Sequence, residues 1–261
     1  MQLNNARILL TGATGGLGQE LAQQLSAAGA KLLIAGRDTA RLTALTAMLG
    51  SGHSNVRADL TRPEGIAAAA GAARDFGVNV LINNAGIGGF GLFDQQDWST
   101  VADLLATNLE APMRLTQALL PTLKAQPQAA IVNIGSTFGS LPFAGFAAYS
   151  AAKAGLRGFS QALRRELADT QVAVIHLAPR AIDTTLNTEA VNALNRALNN
   201  NSDSTETVAR QVVAALRRGD GEHHFGFPEK LFAWINGFAP SLIDRGLASK
   251  LAVIKQHAPS R

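Results

Sequence analysis

Short apolar runs alternate with longer stretches of helical periodicity from residue 7 to residue 177, and that alternation restricts the chain to one class of fold. Residues 7–10, 32–35, 56–59, 80–82, 131–134 and 172–177 read as strands. Helices are expected to about residue 28 after the first strand, then over 39–49, 63–76, 97–123 and 149–168. Strands that alternate with helices argue for βαβ units, in which a parallel sheet is covered on both faces. The expected fold is therefore α/β, a doubly wound parallel sheet. With 261 residues, no interdomain linker and no short repeat, the chain reads as one domain over 1–261.

Several function classes fall away on composition. There are no cysteines, which excludes disulfides, thiolate catalysis and cysteine-ligated zinc. No metal-ligand set appears, so no catalytic metal is expected; the adjacent His223 and His224 are read as the start of a last short strand. The net charge is +4, and residues 207–261 carry eight basic and four acidic side chains, so the whole excess lies there. No basic cluster with interleaved aromatics occurs in the body, and nucleic acid is not an expected partner. The start, MQLNNARILLTG, has no basic region followed by an apolar one, and no run of 18 uncharged apolar residues follows. The expected location is the cytoplasm, with attachment to a membrane surface as an added reading.

Between the first strand and the first helix stands TGATGGLG, residues 11–18. Glycines at such a turn let the backbone approach a pyrophosphate, which sits at the helix N-terminus. The spacing of Gly12, Gly16 and Gly18 is not that of the general dinucleotide fingerprint, and a tight βα turn is the alternative. The end of the second strand selects the dinucleotide. A carboxylate there binds the ribose hydroxyls of NAD, but this chain has Ala35, Gly36 and Arg37. Arg37 suits a 2′-phosphate, so NADPH is expected rather than NADH; a solvated arginine is the other reading. Asp59 and Leu60, after the third strand, are placed to meet the adenine.

The fifth strand leads to Ser136, and Tyr149 and Lys153 follow four residues apart. A helix starting near Tyr149 puts phenol and ammonium on one face. A phenol titrates near pH ~10, and a nearby ammonium lowers that value. A hydroxyl beside the phenol can hold a carbonyl or alkoxide oxygen. Such a group moves a proton within a carbonyl/alcohol pair and needs a hydride carrier.

Taken together, these segments closely resemble the short-chain dehydrogenase/reductase family over about residues 5–225. TGATGGLG matches that family's TGxxxGxG loop, Asn83-Asn84-Ala85-Gly86 its NNAG segment, and Ser136, Tyr149 and Lys153 its S…YxxxK set. Asn108, in ATNLEAP, matches the asparagine of the family's proton relay. The resemblance implies a Rossmann-type fold and a set of residue roles. Tyr149 donates a proton to the substrate oxygen, and Ser136 hydrogen-bonds that oxygen. Lys153 lowers the Tyr149 pKa and holds the nicotinamide ribose, while Asn108 organises a water chain through Lys153. Gly12, Thr14, Gly15, Gly16, Leu17, Gly18, Asn84, Ala85 and Gly86 line the dinucleotide. Pro179, Ile182 and Thr184 keep the spacing of residues that meet the nicotinamide. One departure stands out: the family's Pro-Gly is here Pro179-Arg180. Arg180 reads as facing the cofactor phosphates, an acidic substrate group or solvent.

The loops after the fourth and fifth strands are rich in apolar residues, among them Phe90, Phe93, Phe138, Phe143 and Phe146. They read as a pocket wall, with Phe138 and Phe143 beside Ser136 and Tyr149 as substrate contacts; loop packing or subunit contact is the alternative. Segment 183–207 takes the place of the family's substrate lid, with Ala190, Leu194 and Leu198 at helical spacing and a polar loop over 199–204. The extension over 226–261 is the least family-like part. Leu231, Ile235, Phe238 and Leu242 fall on one helical stripe, flanked by Arg245, Lys250 and Lys255. Either this extension packs on the domain, roofing the pocket or an interface, or residues 226–255 lie on a membrane surface. The expected function is NADPH-dependent reduction of a ketone, aldehyde or 3-oxoacyl group on an apolar substrate. The alternatives are a dinucleotide-sensing binding protein without turnover and a lipid-surface protein. The resemblance also implies a homodimer or homotetramer through the long helices.

Overall fold

Nine strands are present in the computed structural model, which describes residues 1–184, 186–219 and 221–259. They are β1 (Arg7–Thr11), β2 (Lys31–Gly36), β3 (Ser54–Arg57), β4 (Val80–Asn83), β5 (Ala129–Ile134), β6 (Val172–Ala178), β7 (Ile182–Asp183), β8 (Asp203–Ser204) and β9 (Glu222–His224). Seven form one sheet in the order β3-β2-β1-β4-β5-β6-β9, every pairing parallel. The third strand begins two residues earlier than its apolar content suggests. Its edge position lets exposed Ser54 and Arg57 pair with β2 by backbone alone.

Both sheet faces are buried, which is why the strands read as apolar runs rather than alternating ones. Ile8, Leu10, Leu32 and Ile34 pack against α1 (Gly16–Ala27), α2 (Thr39–Leu49) and α8 (Thr205–Arg218). Leu9, Leu33 and Leu81 point the other way, onto α3 (Pro63–Phe76), α5 (Ala111–Lys124) and α6 (Ala147–Glu166). Each of these leucine or isoleucine side chains contributes about 1.5–3 kcal/mol by leaving water.

The expected continuous helix over 97–123 is interrupted. α4 (Trp98–Leu105) passes through a π-turn at Ala106–Glu110 into α5. The wider turn re-aims Asn108, which is 1% exposed, and such turns recur at functional sites. α6 starts two residues before Tyr149.

After β6 the chain runs into segment 183–207. β7 and β8 pair in parallel and close its base around α7 (Glu189–Ala197). The polar loop is more ordered than its composition implies. Asn199 adopts φ 50° after α7, and Asn200 N–H donates to the Asn195 carbonyl. Thr185, inside the lid segment, lies outside the described residues, as do Ser260 and Arg261 of the extension.

The extension forms α9 (Glu229–Asn236), α10 (Pro240–Ala248) and α11 (Leu251–His257). The single stripe from Leu231 to Leu242 is therefore split. Pro240 cannot donate to a continuing ladder and instead opens α10 at its first position. Among the described residues no helix is long and apolar enough to cross a membrane.

Candidate active site

The strand order reverses between β1 and β4, and the crevice at their carboxyl ends gathers the residues singled out above. β5 delivers Ser136. Gly135 just before it is obligatory, because a Cβ there would overlap the ring of buried His176. The Ser136 hydroxyl accepts the Phe138 N–H at 3.2 Å and hydrogen-bonds the Tyr149 phenol. On the next turn of α6, the Lys153 ammonium donates to the Ile134 carbonyl at 3.0 Å and lies 5.7 Å from the Tyr149 ring centroid.

Burial moves both titrating groups toward their neutral forms. It pushes the Lys153 ammonium down to about 8. It raises Tyr149 above the ordinary phenol value, and the Ser136 hydrogen bond offsets only part of that. The expectation of a lowered phenol is thus reversed in this protein. Desolvation is the larger effect because the phenol is set among the rings of Phe138 and Phe146.

The Asn108 side chain is engaged through both its amide oxygen and its amide nitrogen. It accepts the Ile87 N–H and donates to the Ile87 carbonyl, both at 2.8 Å. It therefore pins the loop after β4, and Gly86 lies so close that a Cβ would sit 3.1 Å from Asn108 Oδ1 and 3.8 Å from Lys153 Nζ.

The glycine loop leaves a cradle. Gly12 has φ 64°, and a Cβ on it would come 2.7 Å from Ala85 Cα. A Cβ on Gly18 would overlap the Gly12 carbonyl. Gly15 and Gly16 have open space by comparison, with Thr184 at 3.5 Å from a Cβ on Gly16. No side chain caps α1, so the amides at Gly16, Leu17 and Gly18 point at the crevice without an intrahelical partner. The Thr14 carbonyl and Thr11 hydroxyl organise the loop: Thr11 Oγ1 accepts the N–H groups of Asn84 and Ala85, both at 3.0 Å. This donor-lined, glycine-walled space fits a dinucleotide pyrophosphate.

At the end of β2, Arg37 is exposed, and two arginines not singled out from the sequence join it. Arg41 Nη2 donates to the Thr14 carbonyl at 2.6 Å, and Arg57 Nε donates to the Arg37 carbonyl at 3.3 Å. Asp38 is occupied, since its carboxylate caps α2 by accepting the Arg41 N–H at 3.0 Å. Asp59 accepts from the Thr61 hydroxyl at 2.7 Å, which holds its carboxyl below the usual range. Leu60 packs partly buried beside Ala58 and Ile66.

Pro179 and Arg180 resolve differently. The Pro179 carbonyl accepts the Thr137 N–H at 2.9 Å and its hydroxyl at 3.1 Å, tying the loops after β5 and β6 together. Arg180 faces neither cofactor space nor solvent. Its guanidinium bridges Asp203 at 2.6 Å and Glu229 at 3.6 Å, on β8 and at the start of α9. Gly226, at φ 87°, clears room for it. Ile182 packs against the first core face.

In the loops after β4 and β5, Phe138 stacks on Phe143 at 5.4 Å and meets Phe146 at 5.0 Å, and Phe90 stacks on Phe146 at 5.0 Å. Leu194 of α7 and Ile254 of α11 complete this wall beside Tyr149. Phe93, expected in the wall, is 57% exposed and stands apart.

A buried polar chain behind the site was missed by sequence reading. Asn83 Nδ2 donates to Asn133 Oδ1 at 2.8 Å, and Asn133 Nδ2 donates to Ser160 Oγ at 2.9 Å. His176 Nδ1 lies 3.4 Å from Ser160, and burial pushes that imidazole down to about 3, so it is neutral. The available signal was a polar residue inside each of three apolar strands.

Comparison with known proteins agrees with this geometry. The short chain dehydrogenase family profile matches residues 6–195. The chain is 35% identical over 225 residues to the 3-oxoacyl-(acyl-carrier-protein) reductase of Vibrio cholerae, covering 84% of this chain and 86% of that one. It is 35% identical over 264 residues to dehydrogenase/reductase SDR family member 7B of Mus musculus, covering 95% and 82%. A short chain dehydrogenase from Burkholderia cenocepacia, solved in complex with NADP, superposes with a TM-score of 0.82 at 27% identity, covering 95% and 99%.

Proposed function

Since the chain belongs to the short-chain dehydrogenase/reductase family and is an oxidoreductase dependent on a nicotinamide dinucleotide, we propose that it reduces the carbonyl of an apolar substrate with NADPH. The observation that carries this reading is the convergence of Ser136, Tyr149 and Lys153 between the glycine cradle and the aromatic wall. When bound, the cofactor supplies a hydride to the carbonyl carbon. The protein's residues do the rest. Ser136 and Tyr149 hold the carbonyl oxygen, and the raised phenol pKa keeps Tyr149 protonated at neutral pH, ready to donate. The proton passes from the Tyr149 hydroxyl to the substrate oxygen. The Lys153 ammonium then stabilises the phenolate left behind. Asn108 keeps Ile87 and Gly86 in place, and Thr184 stands beside the glycine loop at Gly16.

Arg37, with Arg41 and Arg57 near it, supports the choice of NADPH, as does the engagement of Asp38 at its helix cap. The V. cholerae relative, a 3-oxoacyl reductase, supports an acyl-type carbonyl. Trp98 and Met113, exposed on α4 and α5, support self-association through those helices.

Titration with NADPH and NADH by nicotinamide fluorescence tests the reading. NADPH is expected to bind at least about tenfold tighter, with the preference lost in Arg37→Ala. Tyr149→Phe is expected to keep NADPH affinity and lower kcat about 10²–10⁴-fold. Preference for NADH would overturn the 2′-phosphate assignment, and undiminished turnover by Tyr149→Phe would overturn the proton donor.

A further inference from the structure

Twelve large apolar side chains stand exposed among the described residues, and seven of them fall between Phe227 and Leu251. Four of them lie on two short helices, Leu231, Phe232 and Trp234 on α9 and Leu242 on α10, with Phe238 in the turn between. α9 fully buries only Ala233, and no residue of α10 is fully buried. Leu231, Phe232, Trp234, Phe238 and Leu242 instead face outward, with the Trp234 and Phe238 rings edge to face at 4.6 Å. Water contact over such a patch is unfavourable, so something covers it.

Charge identifies the cover. Lys230 on α9, Arg245 on α10 and Lys255 on α11 are exposed in the same segment. Of the two acids in this segment, Glu229 is held by Arg180, and Asp244 alone is exposed. Tryptophan and phenylalanine beside exposed lysine and arginine, with little exposed acid to balance them, are the composition of helices that lie in a lipid headgroup layer. Helices of eight and nine residues cannot span a bilayer but can lie along it.

The patch also adjoins the candidate site. Asn236 at the end of α9 donates to the Ser140 carbonyl at 3.0 Å, four residues after Ser136. α11 then returns to the site, where Ile254 is buried against the aromatic wall.

We propose that the apolar face of α9 and α10 docks the enzyme on an anionic bilayer surface, from which it takes a long-chain lipid carbonyl. This rests on the apolar-carbonyl reading above for the substrate, but the docking is measured without turnover.

The full-length protein with NADPH present is floated with phosphatidylcholine vesicles, with and without phosphatidylglycerol. Binding is expected to the phosphatidylglycerol vesicles, about tenfold weaker without that lipid and weakened by salt. A variant carrying Trp234→Ser, Phe238→Ser and Leu242→Ser is expected to bind these vesicles at least about tenfold less, with NADPH affinity unchanged. A second variant, Lys230→Glu with Arg245→Glu, keeps the apolar face and is expected to lose the preference for phosphatidylglycerol. Wild-type protein left in solution with both vesicles overturns the proposal, as does equal binding by wild type and the serine variant. So does loss of self-association by the serine variant in light scattering with no vesicle binding by wild type, which assigns the face to a second copy. Absence of ketone turnover beside intact vesicle binding removes the reductase reading and leaves the docking.

Discussion

A buried lysine is the residue on which this site turns. Lys153 is 5% exposed, and burial brings it down to about 8 from the ordinary 10.5. Between those values the unfolded chain binds more protons than the folded one, so stability rises with pH across that window. Below about pH 8 the folded protein bears the full cost of a desolvated ammonium. Replacing Lys153 by Met removes that cost but leaves the Ile134 carbonyl without its donor. The expected net gain is about 2 kcal/mol at pH 7, or about 5 °C in Tm. Thermal melts of both proteins at several pH values check this: the gap should narrow as pH climbs from about 8 toward 10.5, and a constant gap would refute the assignment. The same variant should lose most turnover, because the phenolate loses its counter-charge. That Ser136, Tyr149 and Lys153 come together was legible in the sequence. Their ionisation was not, because it depends on rings from other segments.

Individual elements are joined by contacts that no local pattern announces. Arg180 links β8 to α9 through Asp203 and Glu229, with side chains 14–25% exposed. An ion pair this far from water lies between the surface and buried regimes, so Arg180→Ala should cost about 1–2 kcal/mol. On the proposal that segment 183–207 closes over the substrate, KM should also rise about fivefold with little change in kcat. Steady-state kinetics and limited proteolysis of 183–207 read this out; unchanged KM and cleavage would show that the bridge does not hold the lid. The departure at this position was visible in the sequence, but its partners lie 23 and 49 residues further along. The π-turn at Ala106–Glu110 was likewise hidden, since its residues fit an ordinary helix and only the docking of Asn108 on Ile87 selects the wider turn.

For the whole molecule, the tail belongs partly to the pocket and partly to the outside. Ile254 is 1% exposed and closes the aromatic wall from α11. Ile254→Ala should destabilise by about 2–4 kcal/mol and raise KM for a long-chain ketone more than for a short one. Denaturant unfolding and kinetics with two chain lengths check this, and equal KM changes would place Ile254 outside the substrate path. What the sequence by itself determined is local or periodic. Burial on both faces writes strands as apolar runs, a tight turn demands glycine at Gly12, and four-residue spacing aligns Tyr149 with Lys153 on one helix face. The doubly wound sheet and the order of its site loops follow from those patterns. What the tertiary structure alone decided is adjacency across long separations: Arg41 on Thr14, Arg180 on Asp203, His176 behind Gly135, Ile254 against Phe146. These arise when segments distant in the chain are packed together. Desolvation and partner choice, and hence pKa and lid anchoring, exist only after that packing.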